Sequence, residues 1–182
     1  MYIFLKSILN IAFRLIYRIK VDGDIKLPSD SGYIICSNHI HMFDPVLIMT
    51  NIKRQISFMM KKELVDVPIL GKILLKCGAF PIDRGNSDIG AIKAAIKILC
   101  QNKVISIFPE GTRHRDGKFR NIKNGASLIA IKANVPIVPV RIIGNYRPFS
   151  KMIIRIGNPI DCLNCSKEDV TEKLKDAIEA LA

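Results

Sequence analysis

The sequence predicts a single-domain α/β fold: a largely parallel, mixed sheet flanked by helices and preceded by an amphipathic N-terminal helix. Three observations predict it. The 182 residues, 49% hydrophobic and 24% charged, suit one domain with one sizeable core. From Val21 onward, strand-like and helix-like segments alternate with no linker, repeat or low-complexity stretch to divide them. Helices placed between strands imply parallel pairing, since a parallel neighbour is reached only by a crossover.

The first element is the apolar run Tyr2 to Lys20, in which Lys6, Asn10, Arg14 and Arg18 recur every four residues. A helix gathers them into one narrow polar stripe. A spanning helix needs about 20 mostly uncharged residues, and Arg14 at the centre of this one would cost about 2.5–3.5 kcal/mol to insert. Lying in a membrane interface, basic groups toward an anionic surface, suits the pattern better than spanning the bilayer or packing into the core. The charges scattered through the run, and the lack of a small-residue cleavage site before Val21-Asp22-Gly23, argue against a secretory signal. Residues 1–20 are therefore read as an interface helix and 21–182 as the folded domain, with its motifs inside 34–143.

Gly32 to Cys36 reads as a buried strand, and Asp44-Pro45 as the start of a helix with Asp44 as N-cap and Pro45 in the first turn. Ile56 to Met60 is a second strand. Val67 to Gly71 begins a short helix toward Lys76, and Ala79 to Ile82 is again apolar and strand-like. Asp88 to Gln101 has helical periodicity, with Ser87 placed to cap it. Val104 to Phe108 is a strand, Gly125 to Ala133 a helix, and Val135 to Ile143 and Met152 to Ile156 the last strands. Ser166 to Asp169 resembles a capping box that opens a final helix reaching Leu181.

Lys+Arg 28 against Asp+Glu 16 leaves a net charge of +12. Such a surface attracts nucleic acid, an anionic membrane face or phosphorylated substrates alike. Nucleic acid is not the expected partner: no binding motif is present, Trp is absent and aromatics reach only 7%, so stacking platforms are not evident. Five cysteines without a secretory signal indicate reduced thiols. The Cys162/Cys165 pair has no second pair to complete a zinc site.

In a parallel sheet, chemistry belongs in the loops at the carboxyl ends of the strands, and three polar clusters fall there: Asn38 to Asp44, Asp83 to Gly85, and Pro109 to Arg115. Two of the three histidines in the chain lie in the first. His39 is the natural general base. Asp44 either holds its second ring nitrogen or simply caps the following helix, and the two roles are compatible. His41 raises a metal alternative, because His-x-His occurs in two-zinc hydrolases. Those sites continue with Asp two residues after the second His and a further His beside it; here Asp44 lies three residues after His41 and Pro45 follows, so no metal is expected. Phe108-Pro109-Glu110-Gly111-Thr112-Arg113 is the type of loop that offers amides and a guanidinium to an oxyanion. Arg84 and Lys123 supply further cations, and each could equally be a surface charge.

Asn-His-x4-Asp from Asn38 to Asp44, Gly-x-Phe-x3-Arg from Gly78 to Arg84, Phe-Pro-Glu-Gly-Thr-Arg from Phe108 to Arg113, and Val-Pro-Ile-Val-Pro-Val from Val135 to Val140 occur in that order. Together they resemble the four motifs of the glycerolipid acyltransferases, specifically the small bacterial 1-acyl-glycerol-3-phosphate acyltransferases. Phe58 to Leu64, followed by Pro68 and Gly71, is similar to the family's stretch between its first two motifs. Two positions depart from the pattern: His41 stands where the family often has a small polar residue, and His114 follows Arg113 where serine is usual.

The resemblance implies a catalytic dyad of His39 and Asp44. It also implies a phosphate site built from Arg84 and Glu110, Gly111, Thr112 and Arg113, and attachment to the membrane through the N-terminal helix; Lys123 is added to that site only as the further cation read from the residues. The expected reaction is acyl transfer from an acyl carrier protein or CoA thioester to the 2-hydroxyl of 1-acyl-glycerol-3-phosphate, giving phosphatidic acid. The partners are then the membrane lipid acceptor, the thioester donor and an anionic membrane surface. No cofactor is expected, and the location is peripheral on the cytoplasmic face of the cell membrane. Absence of a Gly-x-Ser-x-Gly elbow agrees with direct transfer without a covalent enzyme intermediate.

Overall fold

The computed structural model describes residues 1–23, 27–82, 89–114 and 119–182. Its first elements are α1 (Tyr2–Ile16), β1 (Arg18–Asp22), β2 (Tyr33–Ser37), α2 (Asp44–Asn51) and β3 (Ile56–Lys61). After a 3-10 turn at Lys62–Leu64 come α3 (Leu70–Lys76), β4 (Phe80–Ile82), α4 (Ile89–Leu99) and β5 (Val104–Ile107). α5 (Gly125–Ala133), β6 (Ile137–Gly144), β7 (Lys151–Ile156) and α6 (Lys167–Ala180) complete the chain.

The strands form one sheet in the order β1-β7-β6-β2-β5-β3-β4. Every neighbouring pair is parallel except β6 and β7, which run antiparallel. β2 is buried along its whole length because both faces of the sheet are covered. Tyr33 and Ile35 point into one core layer with Leu47 and Ile48 of α2 and Phe13 of α1. Ile34 and Cys36 point into the other, against Ala95 of α4, Ala126 and Ile129 of α5, and Val170 and Leu174 of α6. Burial of alternate residues on opposite faces is why this strand is apolar from Tyr33 to Cys36.

The strands whose ends carry the three polar clusters, β2, β4 and β5, all run the same way, so their carboxyl ends share one edge of the sheet. Arg84 and Ser87 themselves, with Asp83, Gly85 and Arg115, lie outside the described residues. α6 opens with the expected capping box: Ser166 Oγ accepts the Asp169 amide at 3.1 Å, and the Asp169 carboxylate accepts the Ser166 amide at 3.3 Å.

Two expectations are corrected. Helix α1 ends at Ile16, and Arg18 to Lys20 belong to strand β1, which pairs in parallel with β7. Tyr17 is already extended, at φ −126 and ψ 146, and the four-residue recurrence ending at Arg18 runs one polar residue past the true helix. Second, the polar stripe of α1 faces protein rather than an external anionic surface. Lys6 Nζ donates to the carbonyls of Ile52 and Lys53, and Asn10 Nδ2 donates to Thr50 O at 2.7 Å. Arg14 bonds Asn10 and Asn51 at 2.9 and 3.3 Å. These donors gather where α2 ends, at the carbonyls that a helix terminus leaves unpaired. The opposite face of α1, with Ile3, Phe4, Ile11 and Leu15, is exposed.

Candidate active site

The loop leaving β2 is held first by Asn38. Its buried side chain pairs both ways with the backbone of Ile142 in the adjacent β6: Nδ2 donates to the carbonyl at 2.9 Å and Oδ1 accepts the amide at 2.8 Å. The amide side chain thus replaces a ladder partner just where β2 turns away. His39 follows, with its ring stacked on Phe108 at 4.1 Å and 19°.

His39 Nδ1 lies 2.7 Å from Asp44 Oδ2. The same oxygen accepts the amides of Ile40 and His41 at 2.7 and 2.8 Å, while Oδ1 accepts the Tyr146 hydroxyl at 2.6 Å. The Asp44 side chain is fully buried and that of His39 is 14% exposed. Asp44 was expected to cap α2, but its carboxylate turns back into the preceding loop and makes no side-chain cap bond. Multiple donors to the ionised form compensate its burial. With Nδ1 engaged by a carboxylate, Nε2 is the ring nitrogen that can exchange a proton with a substrate.

The second loop follows β5. Gly111 is left-handed at φ +70, and a Cβ there would lie 3.2 Å from Lys123 Nζ. The bare Cα therefore lets the Lys123 ammonium approach the turn, and Lys123 N also donates to Pro109 O at 3.0 Å. Thr112, Arg113 and Lys123 are exposed around it. The Gly111 amide, an expected oxyanion donor, instead closes the turn onto Phe108 O at 3.0 Å.

Glu110 also departs from expectation. Its side chain is fully buried, and its two oxygens accept the amides of His39 and Arg120 at 2.9 and 3.1 Å. A carboxylate so enclosed is a poor ligand for phosphate; it fixes loops. His114 N donates to His39 O at 2.8 Å, so the two motif loops are tied together on both sides of the His39 backbone. The fold therefore brings His39, Asp44, Glu110, Gly111 and Lys123 together, while Arg84 is beyond the described residues.

The family model described as Acyltransferase matches residues 18–143 of this chain. The chain belongs to the acyltransferase family. A relative, the 1-acyl-sn-glycerol-3-phosphate acyltransferase of Bacillus subtilis (strain 168), is 34% identical over an alignment covering 100% of this chain and 93% of that protein. The enzyme of the same description from Streptococcus pneumoniae (strain ATCC BAA-255 / R6) is 36% identical over 86% of this chain and 59% of its own length. Among solved structures, the 1-acyl-sn-glycerophosphate (LPA) acyltransferase PlsC of Thermotoga maritima superposes with a TM-score of 0.82 at 28% identity. That match covers 99% of this chain and 79% of the other.

Tyr146 was missed in the sequence. It lies in the turn between β6 and β7, 102 residues from Asp44, in a stretch with no catalytic pattern. One signal was available: it follows the carboxyl end of an apolar strand, the same location as the motif loops.

Proposed function

We propose that this acyltransferase moves an acyl group from a carrier-protein or CoA thioester to the 2-hydroxyl of 1-acyl-glycerol-3-phosphate, forming phosphatidic acid. The observation that carries the reading is the 2.7 Å pairing of His39 Nδ1 with buried Asp44, next to the Gly111 turn and Lys123. The names of the relatives support the acceptor.

His39 Nε2 takes the hydroxyl proton as the acceptor oxygen attacks the thioester carbonyl. The tetrahedral intermediate collapses with cleavage of the C–S bond, and the thiol leaves with the proton returned by the imidazolium. Asp44 stabilises that imidazolium and holds the ring. Base, hydroxyl and thioester suffice, so neither metal nor cofactor enters the scheme. Arg84 and Arg113, with Thr112 and Lys123, are assigned to the acceptor's phosphate; a guanidinium can fix its orientation with two parallel hydrogen bonds. Holding a weak nucleophile against the carbonyl matters as much as the base.

The exposed apolar face of α1 supports assigning it to the membrane interface, and the enzyme is proposed to sit peripherally on the cytoplasmic face of the cell membrane. There it meets an acceptor and a product that both reside in lipid. No described helix is long and apolar enough to cross a membrane, and an interfacial position is what a one-sided apolar helix favours.

The test is an assay of purified protein with 1-acyl-glycerol-3-phosphate micelles and each donor, comparing wild type with His39→Ala and His41→Ala. The expected result is loss of turnover in His39→Ala. Retention there, with loss in His41→Ala, would overturn the assignment of the base.

A further inference from the structure

We propose that Tyr146 is a positioning residue for the acyl transfer, locking the second oxygen of Asp44 so that the first stays directed at His39. The inference rests on the His39–Asp44 reading above. Asp44 accepts four hydrogen bonds: three on Oδ2, from His39 Nδ1 and the amides of Ile40 and His41, and one on Oδ1, from the Tyr146 hydroxyl. The three Oδ2 partners belong to the loop leading into α2. They leave rotation of the carboxylate about its own axis constrained from one side only, and Tyr146 supplies the opposing hold from a different element, the turn between β6 and β7.

The ring of Tyr146 is itself fixed. It stacks on His41 at 4.3 Å and 22°, meets Tyr17 edge-on at 5.6 Å and 84°, and leans on Phe43 at 6.2 Å. Tyr17 in turn packs on Phe13 of α1 at 5.6 Å. This arrangement also gives His41 a place: it is one wall of the slot that orients the phenol. Burial, reinforced by the adjacent Asp44 charge, raises the Tyr146 hydroxyl well above the ordinary tyrosine range, so it stays a donor at any pH where the enzyme works. A 2.6 Å O–H to carboxylate bond is in the strong, charge-assisted class.

Tyr146→Phe keeps the ring and removes the donor. The expected result is a fall in kcat of about tenfold or more, the size of one charge-assisted hydrogen bond felt in the transition state, with acceptor KM changed by less than about twofold.

The titratable groups around the dyad are His41 on its own loop, Glu110 and His114 from the loop after β5, and Tyr17 and Tyr146 from the elements packed against it. A background control separates His39 and Asp44 from the rest. In Asp44→Asn, adding Tyr146→Phe should have little further effect, since the hydroxyl acts through Asp44. Wild-type kcat in Tyr146→Phe, a change in KM alone, or fully additive losses in the double variant would each overturn the proposal. Full activity of His39→Ala would instead sink the underlying dyad reading, so the two failures are distinguishable.

Discussion

The backbone N–H of His39 donates to the buried Oε2 of Glu110 at 2.9 Å, so the residue at the centre of the Phe-Pro-Glu-Gly-Thr-Arg motif acts on the base's main chain. The other oxygen of Glu110 accepts the Arg120 amide at 3.1 Å. Replacing it by glutamine must turn an N–H2 toward one of two N–H donors. Glu110→Gln is therefore expected to destabilise the fold by about 1–3 kcal/mol, the cost of a buried unmet group. It should also lower kcat with little change in acceptor KM, as measured by denaturant unfolding and steady-state kinetics. A rise in KM with unchanged stability would instead assign the carboxylate to the acceptor.

On the interfacial assignment proposed above, the two faces of α1 separate stability from lipid binding. Phe4 and Leu15 are exposed at 70% and 73%, so Phe4→Ser with Leu15→Ser should leave the melting temperature nearly unchanged. The pair should weaken binding to anionic vesicles by roughly a hundredfold or more, given about 1.5–3 kcal/mol per large apolar side chain. Asn10→Ala does the reverse: it removes the bond to Thr50 O, loosening α1 from α2 while leaving the lipid face intact. Vesicle sedimentation of the three proteins checks this; equal binding by wild type and the Phe4/Leu15 variant would refute the assignment.

The cap of α6 gives a pH dependence with a definite sign. Hydrogen bonds from Ser166 hold the Asp169 carboxyl below its ordinary 3.8. A group with a depressed folded value contributes fully above the unfolded value and loses its contribution as pH falls through the folded one. Asp169→Ala should lower the melting temperature by about 2 °C at pH 7. The gap between wild type and variant should narrow below pH 3.8. A gap constant down to pH 3 would contradict this.

The thiols should differ in reactivity by burial. Cys100 is exposed, whereas Cys36 and Cys162 are buried, and burial pushes the Cys162 thiol up to about 11. At pH 8 only about one Cys162 in a thousand is then thiolate, the reactive form. Iodoacetamide followed by mass spectrometry should label Cys100 within minutes in the native protein, and Cys36 and Cys162 only after unfolding. Rapid native labelling of Cys162 would show that its burial is not maintained.

Much of the fold was legible because its signals are local. Ser166 and Asp169 lie within one turn of each other, and their capping box formed as written. β2 carries an unbroken apolar run from Tyr33 to Cys36, which a strand covered on both faces requires. The misreadings occurred where a local pattern had two possible partners. The stripe of Lys6, Asn10 and Arg14 was equally suited to lipid headgroups and to helix-end carbonyls, and the Asp44 carboxylate could face forward to cap α2 or backward to His39.

By itself, the sequence determined the element order from β2 onward, the largely parallel sheet and the family, because hydrophobic period, cap residues and motif spacing act between residues near in the chain. Only the tertiary structure decided what each charged or polar group faces. Glu110 meets His39 across 71 residues and Tyr146 meets Asp44 across 102. Those meetings depend on β2 lying between β5 and β6 in the sheet. A buried carboxylate must find donors wherever packing supplies them, and the order of strands, not any local pattern, sets which donors arrive.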